Sequence, residues 1–229
     1  MRRVRIDRRR RVSTAPDGSP VDLYLRLPSF GEAERIHELL APGEAILEFG
    51  CGVGRVTHEL IRLGHPVTAV DESAEMLVHV RGAEAIRAQI EELDVGRRFA
   101  CVLLMSNLVN VPDDGQRLAF LQTCARHVTR DGIVVIERQE PRWEPQAGAR
   151  DERGGVTFAL EDVRVEPRHV SATARYEADG RTWRHPFVAR LLDDKELDGE
   201  LAKAGLRRSR ILDERGGWVE ARIVASSRA

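Results

Sequence analysis

The sequence predicts an α/β chain: a doubly wound, mainly parallel sheet, interrupted late by an antiparallel insert and closed by a C-terminal antiparallel hairpin. Three observations carry this. Short apolar runs alternate with helical patterns from residue 45 to residue 136. Gly50, Gly52 and Gly54 make a tight turn between the first apolar run and the helical pattern after it. Period-two alternation then replaces the β-α rhythm over residues 156–192 and returns near the C-terminus.

The elements follow in order. A segment over residues 21–27 leads into a helix near residues 31–40, with Ile36, Leu39 and Leu40 on one face and Pro42-Gly43 ending it. A strand at 45–49 precedes a helix at 55–63, which Gly64 stops. A second strand, 67–70, is followed by a helix capped by Ser73 that carries Met76, Leu77 and Val80. A weak strand at 85–88 precedes the continuous apolar run 100–105, the pattern of a strand buried on both faces. A helix over 116–128 and the turn Asp131-Gly132 lead to a strand at 133–136. In the insert, Val170, Ala172, Ala174 and Tyr176 alternate with polar residues. Asp179-Gly180 has hairpin-turn chemistry, and Trp183, Phe187 and Leu191 share the next run. Asp193 and Glu196 form a capping-box pattern for a helix that Gly205 ends. Strands at 208–212 and 218–225 are joined by Gly216-Gly217.

At 229 residues this is one domain, 21–229, with an insert at about 142–192, and residues 1–20 read as a flexible basic arm or an edge hairpin closing at Asp17-Gly18. The arm is arginine-dense but has no apolar core segment, so it does not read as a secretory signal. No stretch is apolar enough to span a membrane. A net charge of −1 gives no global attraction to nucleic acid, and no aromatic is interleaved with the arm's arginines. Cys51, Cys101 and Cys124 show neither zinc nor disulfide spacing, which points to a reducing cytoplasm. No acid or histidine cluster has metal-ligand spacing, so no metal is expected. Exposed edges of the insert offer a surface for a homodimer.

Residues 46–55, Ile-Leu-Glu-Phe-Gly-Cys-Gly-Val-Gly-Arg, carry the functional signal. A dinucleotide fingerprint needs G-x-G-x-x-G, but Arg55 stands where its last glycine belongs. A Walker loop needs a lysine that is absent. Glu48, two residues before Gly50, would repel a pyrophosphate and suits a ligand with an ammonium and a sulfonium. The run 67–70 ends in Asp71, an acid able to accept both hydroxyls of a ribose.

With Glu48, Gly50, Gly52, Gly54 and Asp71 in this arrangement, the chain resembles the class I S-adenosylmethionine (SAM) dependent methyltransferases, whose fold is Rossmann-like. Their first motif reads roughly E/D-x-G-x-G-x-G. The resemblance covers roughly residues 40–225 and is motif-specific only at 46–55 and 66–77. It implies SAM as cofactor and S-adenosylhomocysteine as product. It also implies backbone contacts from Gly50, Cys51 and Gly52 to the methionine part, with Glu48 nearby. Asp71 would hold the ribose with Glu72 beside it, and Met76 would pack near the adenine. Gln89 stands where the family often has an acid for the adenine amino group, followed by Ile90. Met105 and Ser106 would lie near the methyl group, and Tyr24 over the cofactor.

Asn107-Leu108-Val109-Asn110 lacks the prolines and aromatic of the N/D-P-P-Y/F motif of amino-methylating enzymes, which argues against adenine-N6, cytosine-N4 and release-factor-type substrates. Asn107 and Asn110 satisfy loop backbone on the alternative reading. Glu137, after the fifth strand, is a candidate substrate-facing acid or base, or else a partner in a surface salt bridge. His185, with His169 and Tyr176, lies on the insert, where histidine can act as a general base. The expected reaction is methyl transfer to O, N or C of a small-molecule acceptor. The chain looks similar to bacterial enzymes that modify metabolites and natural products, including amino-sugar N-methyltransferases. Two rival readings stay open: an RNA or protein methyltransferase anchored by the basic arm, and a non-catalytic binding subunit.

Overall fold

The structure, a computed structural model, describes residues 14–224. Along the chain run α1 (Val21–Tyr24), α2 (Glu32–His37), β1 (Ile46–Phe49), α3 (Arg55–Arg62), β2 (Val67–Asp71), α4 (Ala74–Leu77), β3 (Glu84–Arg87), β4 (Phe99–Leu104), α5 (Asp114–His127) and β5 (Val128–Glu137). The insert supplies β6 (Arg150–Arg153), β7 (Val156–Val165), β8 (His169–Ala178) and β9 (Arg181–Arg190). The chain then adds α6 (Asp194–Lys203), β10 (Leu206–Ile211) and β11 (Trp218–Ile223).

The main sheet has the order β10-β11-β5-β4-β1-β2-β3. β1 to β5 are parallel, whereas β11 runs antiparallel to both β5 and β10. This is the expected class I methyltransferase fold. Strand order reverses between β1 and β4, and open α/β sheets bind ligands beyond the strand ends at such a switch point.

Alternate residues of each strand enter opposite faces. Leu47, Phe49, Val102, Leu104, Val134 and Ile136 pack with Leu121 of α5 and Leu197 and Leu201 of α6. Ile46, Leu103, Ile133 and Val135 pack with Ile36 of α2 and Val56 and Leu60 of α3. The three cysteines are free thiols, all buried: Cys124 on the first face, Cys51 and Cys101 on the second.

β6 to β9 form a separate antiparallel sheet in sequential order. Asp179 and Gly180 both have positive φ, 49° and 70°, as a two-residue primed hairpin turn requires. The N-terminal segment joins this sheet to the main body. Leu23 packs with Val156 and Trp183, and the Trp183 indole donates to Asp22 at 2.9 Å. Asp193 and Glu196 close the expected capping box of α6.

Three expectations need correction. The helix after Ser73 is a single turn, although the Ser73 hydroxyl does accept from the Met76 amide. β6 has no counterpart in the sequence reading, because its four residues are charged and exposed. Residues 14–20, counted with the flexible arm, take the hairpin form that Asp17-Gly18 offered as the alternative: Thr14 bridges Pro20, and the Ala15 amide donates to the Ser19 carbonyl at 2.8 Å. Ala15 packs with nearby Val21 and with Val53 and Met76, the latter two too distant in sequence to leave a local pattern. The rest of the arm, residues 1–13, lies outside the described residues. Among the described residues no helix is long and apolar enough to cross a membrane.

Candidate active site

The turn after β1 sets the site. Gly50, Gly52 and Gly54 all adopt positive φ, at 64°, 57° and 87°. A Cβ on Gly50 would stand 2.7 Å from Leu108 Cδ1, so the turn passes close beneath the loop after β4. The Asp71 carboxylate accepts from the Gly52 amide at 2.8 Å and from the Ser73 amide at 2.9 Å. It thereby fastens the turn after β1 to the end of β2.

A cavity of about 840 Å³ opens over this turn, at the upper end of the range for small-molecule sites. Of the residues expected at the cofactor, Tyr24, Gly50, Gly52, Asp71, Glu72, Met76, Gln89, Ile90 and Ser106 line it. So does His185 on β9, with Tyr176 and Trp143. His169 does not.

Four expected residues are not on its wall. The Glu48 side chain is buried under α3, where its carboxylate accepts from the Thr57 hydroxyl at 2.5 Å. Cys51 meets the α2 and α3 side through its side chain, while its backbone, the part expected to contact the cofactor, belongs to the turn. Met105 packs in the same cluster. Glu137 accepts from the Ser106 amide at 2.8 Å, and burial pushes its carboxyl upward while Glu32, Arg55 and Arg35 stand nearby. It holds a backbone turn in which Ser106 and Asn107 both have positive φ, 56° and 59°. Strand parity is consistent with the displacement. Glu48, Met105 and Glu137 follow Ile46, Leu103 and Val135 by two residues and so face α2 and α3.

The sequence reading missed two sets of lining residues. Ala15, Asp17 and Ser19 come from the turn assigned to the arm, and Phe158, Leu160 and Phe187 come from the insert. The alternation Val156, Phe158, Leu160 carried the signal for the second set. For the first, Asp17-Gly18 signalled a turn but not its place at the cavity.

The electrostatics are one-sided near the glycine turn. Burial pushes the Asp71 carboxyl upward and the Asp17 charge adds to it; burial also raises Glu72, helped by Asp17, Asp71 and Glu91. A pyrophosphate would be repelled here. A ligand with vicinal hydroxyls and cationic centres would not.

Residues 46–132 match a family model described as a methyltransferase domain. That stretch, under half of the chain, resembles a methyltransferase domain, and the sheet order around it is that of the class I methyltransferase fold. The ubiquinone biosynthesis O-methyltransferase of Rhodopseudomonas palustris is 30% identical over 110 residues, 44% of this chain and 42% of that protein. Its counterpart in Bradyrhizobium sp. is 33% identical over an equally long stretch. The chain thus spans less than half the length of the curated relatives it matches. Among solved structures, the CcbJ methyltransferase from Streptomyces caelestis covers 90% of this chain and 96% of its own at 19% identity and a TM-score of 0.73. The sugar N-methyltransferase KedS8 from Streptoalloteichus sp covers 89% and 92% at 20% identity and a TM-score of 0.71. At these identities the structural likeness shows the fold. The insert lies beyond the matched methyltransferase domain. SAM, with its ribose, ammonium and sulfonium, fits the chemistry of the acidic, glycine-cradled end.

Glu48 gives this domain a pH signature. Burial is the main cause that raises its carboxyl to about 7, with Thr57 acting in the opposite direction. A carboxyl raised on folding stabilises the native state fully below its unfolded value of about 4.5, and that contribution is lost as pH rises through about 7. The loss is on the order of a few kcal/mol. Glu48→Gln is therefore expected to gain stability relative to the wild type between pH 5 and pH 8. Thermal melts across that range check it, and a constant difference would refute it.

Proposed function

We propose that the protein is a SAM-dependent methyltransferase that methylates an O, N or C atom of a small-molecule acceptor. The observation that carries this reading is the single cavity running from the glycine turn to the insert, with acids at one end and aromatic walls at the other. The names of similar proteins, an O-methyltransferase of ubiquinone biosynthesis and a sugar N-methyltransferase, support a small metabolite as acceptor.

SAM supplies a methyl group on a sulfonium that leaves as the neutral thioether S-adenosylhomocysteine. The chain's work is to bind, align and exclude water. Asp71 accepts the ribose hydroxyls, and Gly50 and Gly52 cradle the methionine part. Gln89 accepts from the adenine amino group, with Met76 and Ile90 as apolar walls. Phe158, Leu160 and Phe187 close the acceptor half. His185 takes the proton that an O–H or N–H acceptor loses as its lone pair forms the new bond to carbon. Burial pushes the Tyr24 and Tyr176 phenols upward, so they stay protonated. A cytoplasmic location suits three free thiols.

Calorimetry and thermal shift test the reading. S-adenosylhomocysteine should bind with micromolar affinity, about −8 kcal/mol, and NAD and ATP should not. A catechol and an amino sugar then serve as first acceptors, followed by S-adenosylhomocysteine release. Stabilisation by NAD and none by S-adenosylhomocysteine would overturn the assignment.

A further inference from the structure

The insert leaves the main body after Glu137 and returns at Arg190, and both stems meet one buried side chain. Asn110 is 2% exposed and ends the short 3-10 turn Leu108–Asn110 that follows β4. Its Nδ2 donates to the Arg190 carbonyl at 2.7 Å, and its Oδ1 accepts from the Gln139 amide at 2.7 Å. The site demands one donor and one acceptor in a single short side chain, and an asparagine amide supplies both in only one orientation.

The joint has a second member. Arg138, also 2% exposed, donates from Nε to the Gly216 carbonyl at 2.8 Å and from Nη1 to the Leu192 carbonyl at 3.4 Å, and it pairs with Asp194. It ties the insert's base to the β10–β11 turn and the start of α6. Asn110 alone reaches the loop that floors the cavity. That loop carries Leu108 against Gly50 and has its Ser106 amide pinned by Glu137. At the insert's base, the loop under the cavity is therefore joined to both stems through one amide group, while the N-terminal segment holds the sheet's far side through Leu23 and Asp22.

We propose that Asn110 is a positioning residue: it fixes the insert over the loop after β4, so that occupancy at the glycine turn is felt in the roof over the acceptor. The catalytic meaning of this joint rests on the methyltransferase reading above; the joint itself does not. Asn110→Ala removes both bonds. Asn110→Asp keeps an acceptor for the Gln139 amide but sets a lone pair against the Arg190 carbonyl. Val109→Ala, at a neighbouring fully buried position, controls for general loosening of the core.

The experiment is amide hydrogen exchange on the full chain, with and without S-adenosylhomocysteine. In Asn110→Ala, protection should fall about tenfold or more at Gln139, whose amide loses its acceptor, and at Leu191, whose amide donates to the Arg168 carbonyl at 2.9 Å from the peptide plane that Asn110 anchors through the Arg190 carbonyl. In Asn110→Asp it should fall at Leu191 and persist at Gln139. Both variants should bind S-adenosylhomocysteine within about threefold of the wild type. Both should lose the extra protection that the ligand confers on β8 and β9 in the wild type. Val109→Ala should show neither the site pattern nor that uncoupling. Wild-type protection at both amides in Asn110→Ala, or the same pattern in Val109→Ala, would overturn the proposal. So would ligand-induced protection of the insert that survives in Asn110→Ala. If the wild type itself binds no S-adenosylhomocysteine, the functional reading fails, and the amide pattern of the unliganded variants still decides whether the joint exists.

Discussion

Asp71→Ala is expected to weaken S-adenosylhomocysteine binding tenfold or more in calorimetry, while the exposed-site control Glu214→Ala leaves it unchanged. Two effects add. The carboxylate would lose its hydrogen bonds to the ribose hydroxyls, worth about 1.5–3 kcal/mol when charge-assisted. It would also release the Gly52 and Ser73 amides, so the turn under the cofactor loses its tether to β2. Asp71→Asn should fall between the two, because its amide retains a single acceptor oxygen. Equal affinities for the two alanine variants, both folded, would contradict the ribose assignment.

His185→Ala is expected to lower turnover about 100-fold, the low end for losing a general base, with S-adenosylhomocysteine affinity unchanged. The imidazole lies on β9, across the cavity from the glycine turn, so its loss should act on the acceptor step alone. Glu137→Gln supplies the contrast. Its amide oxygen can still accept from the Ser106 N–H, so turnover should stay within a few-fold of the wild type. A Glu137→Gln enzyme as crippled as His185→Ala would return Glu137 to the chemistry and remove it from the support of the loop.

The parallel half of the fold was legible because it is built from local signals. Apolar runs, glycine turns and capping residues put β1, β2, β4 and β5 within a few residues of their final places, and Asp71 on the cavity wall. Glu48, Met105 and Glu137 went astray although their information was also local. Each stands an even number of residues from an apolar partner on the α2 and α3 face, but so does Asp71 from Val67 and Ala69, and Asp71 reaches the cavity, so parity alone does not separate them. Asp17 and Ser19 were beyond reach. The turn itself was signalled by Asp17-Gly18, but its seat against the distant residues Val53 and Met76 was not. Asn110 was intermediate. Its backbone role was foreseeable from the residue type, but its partners at 139 and 190 belong to the two ends of an insert whose closure only the folded chain brings together.

The buried thiols give the molecule an internal clock. Burial pushes Cys51, Cys101 and Cys124 far above the usual thiol range, so the thiolate that reacts with an alkylating reagent is almost unpopulated in the native state. Reaction must then wait until a sulfur is uncovered. Cys124 sits on one face of the sheet and Cys101 on the other, so the two report separately on the layers they lie beneath. Cys51 lies in the glycine turn itself, so its labelling follows the breathing of the cofactor cradle. A bound cofactor that stills this turn would slow the third sulfur and leave the other two keeping the time of the whole chain.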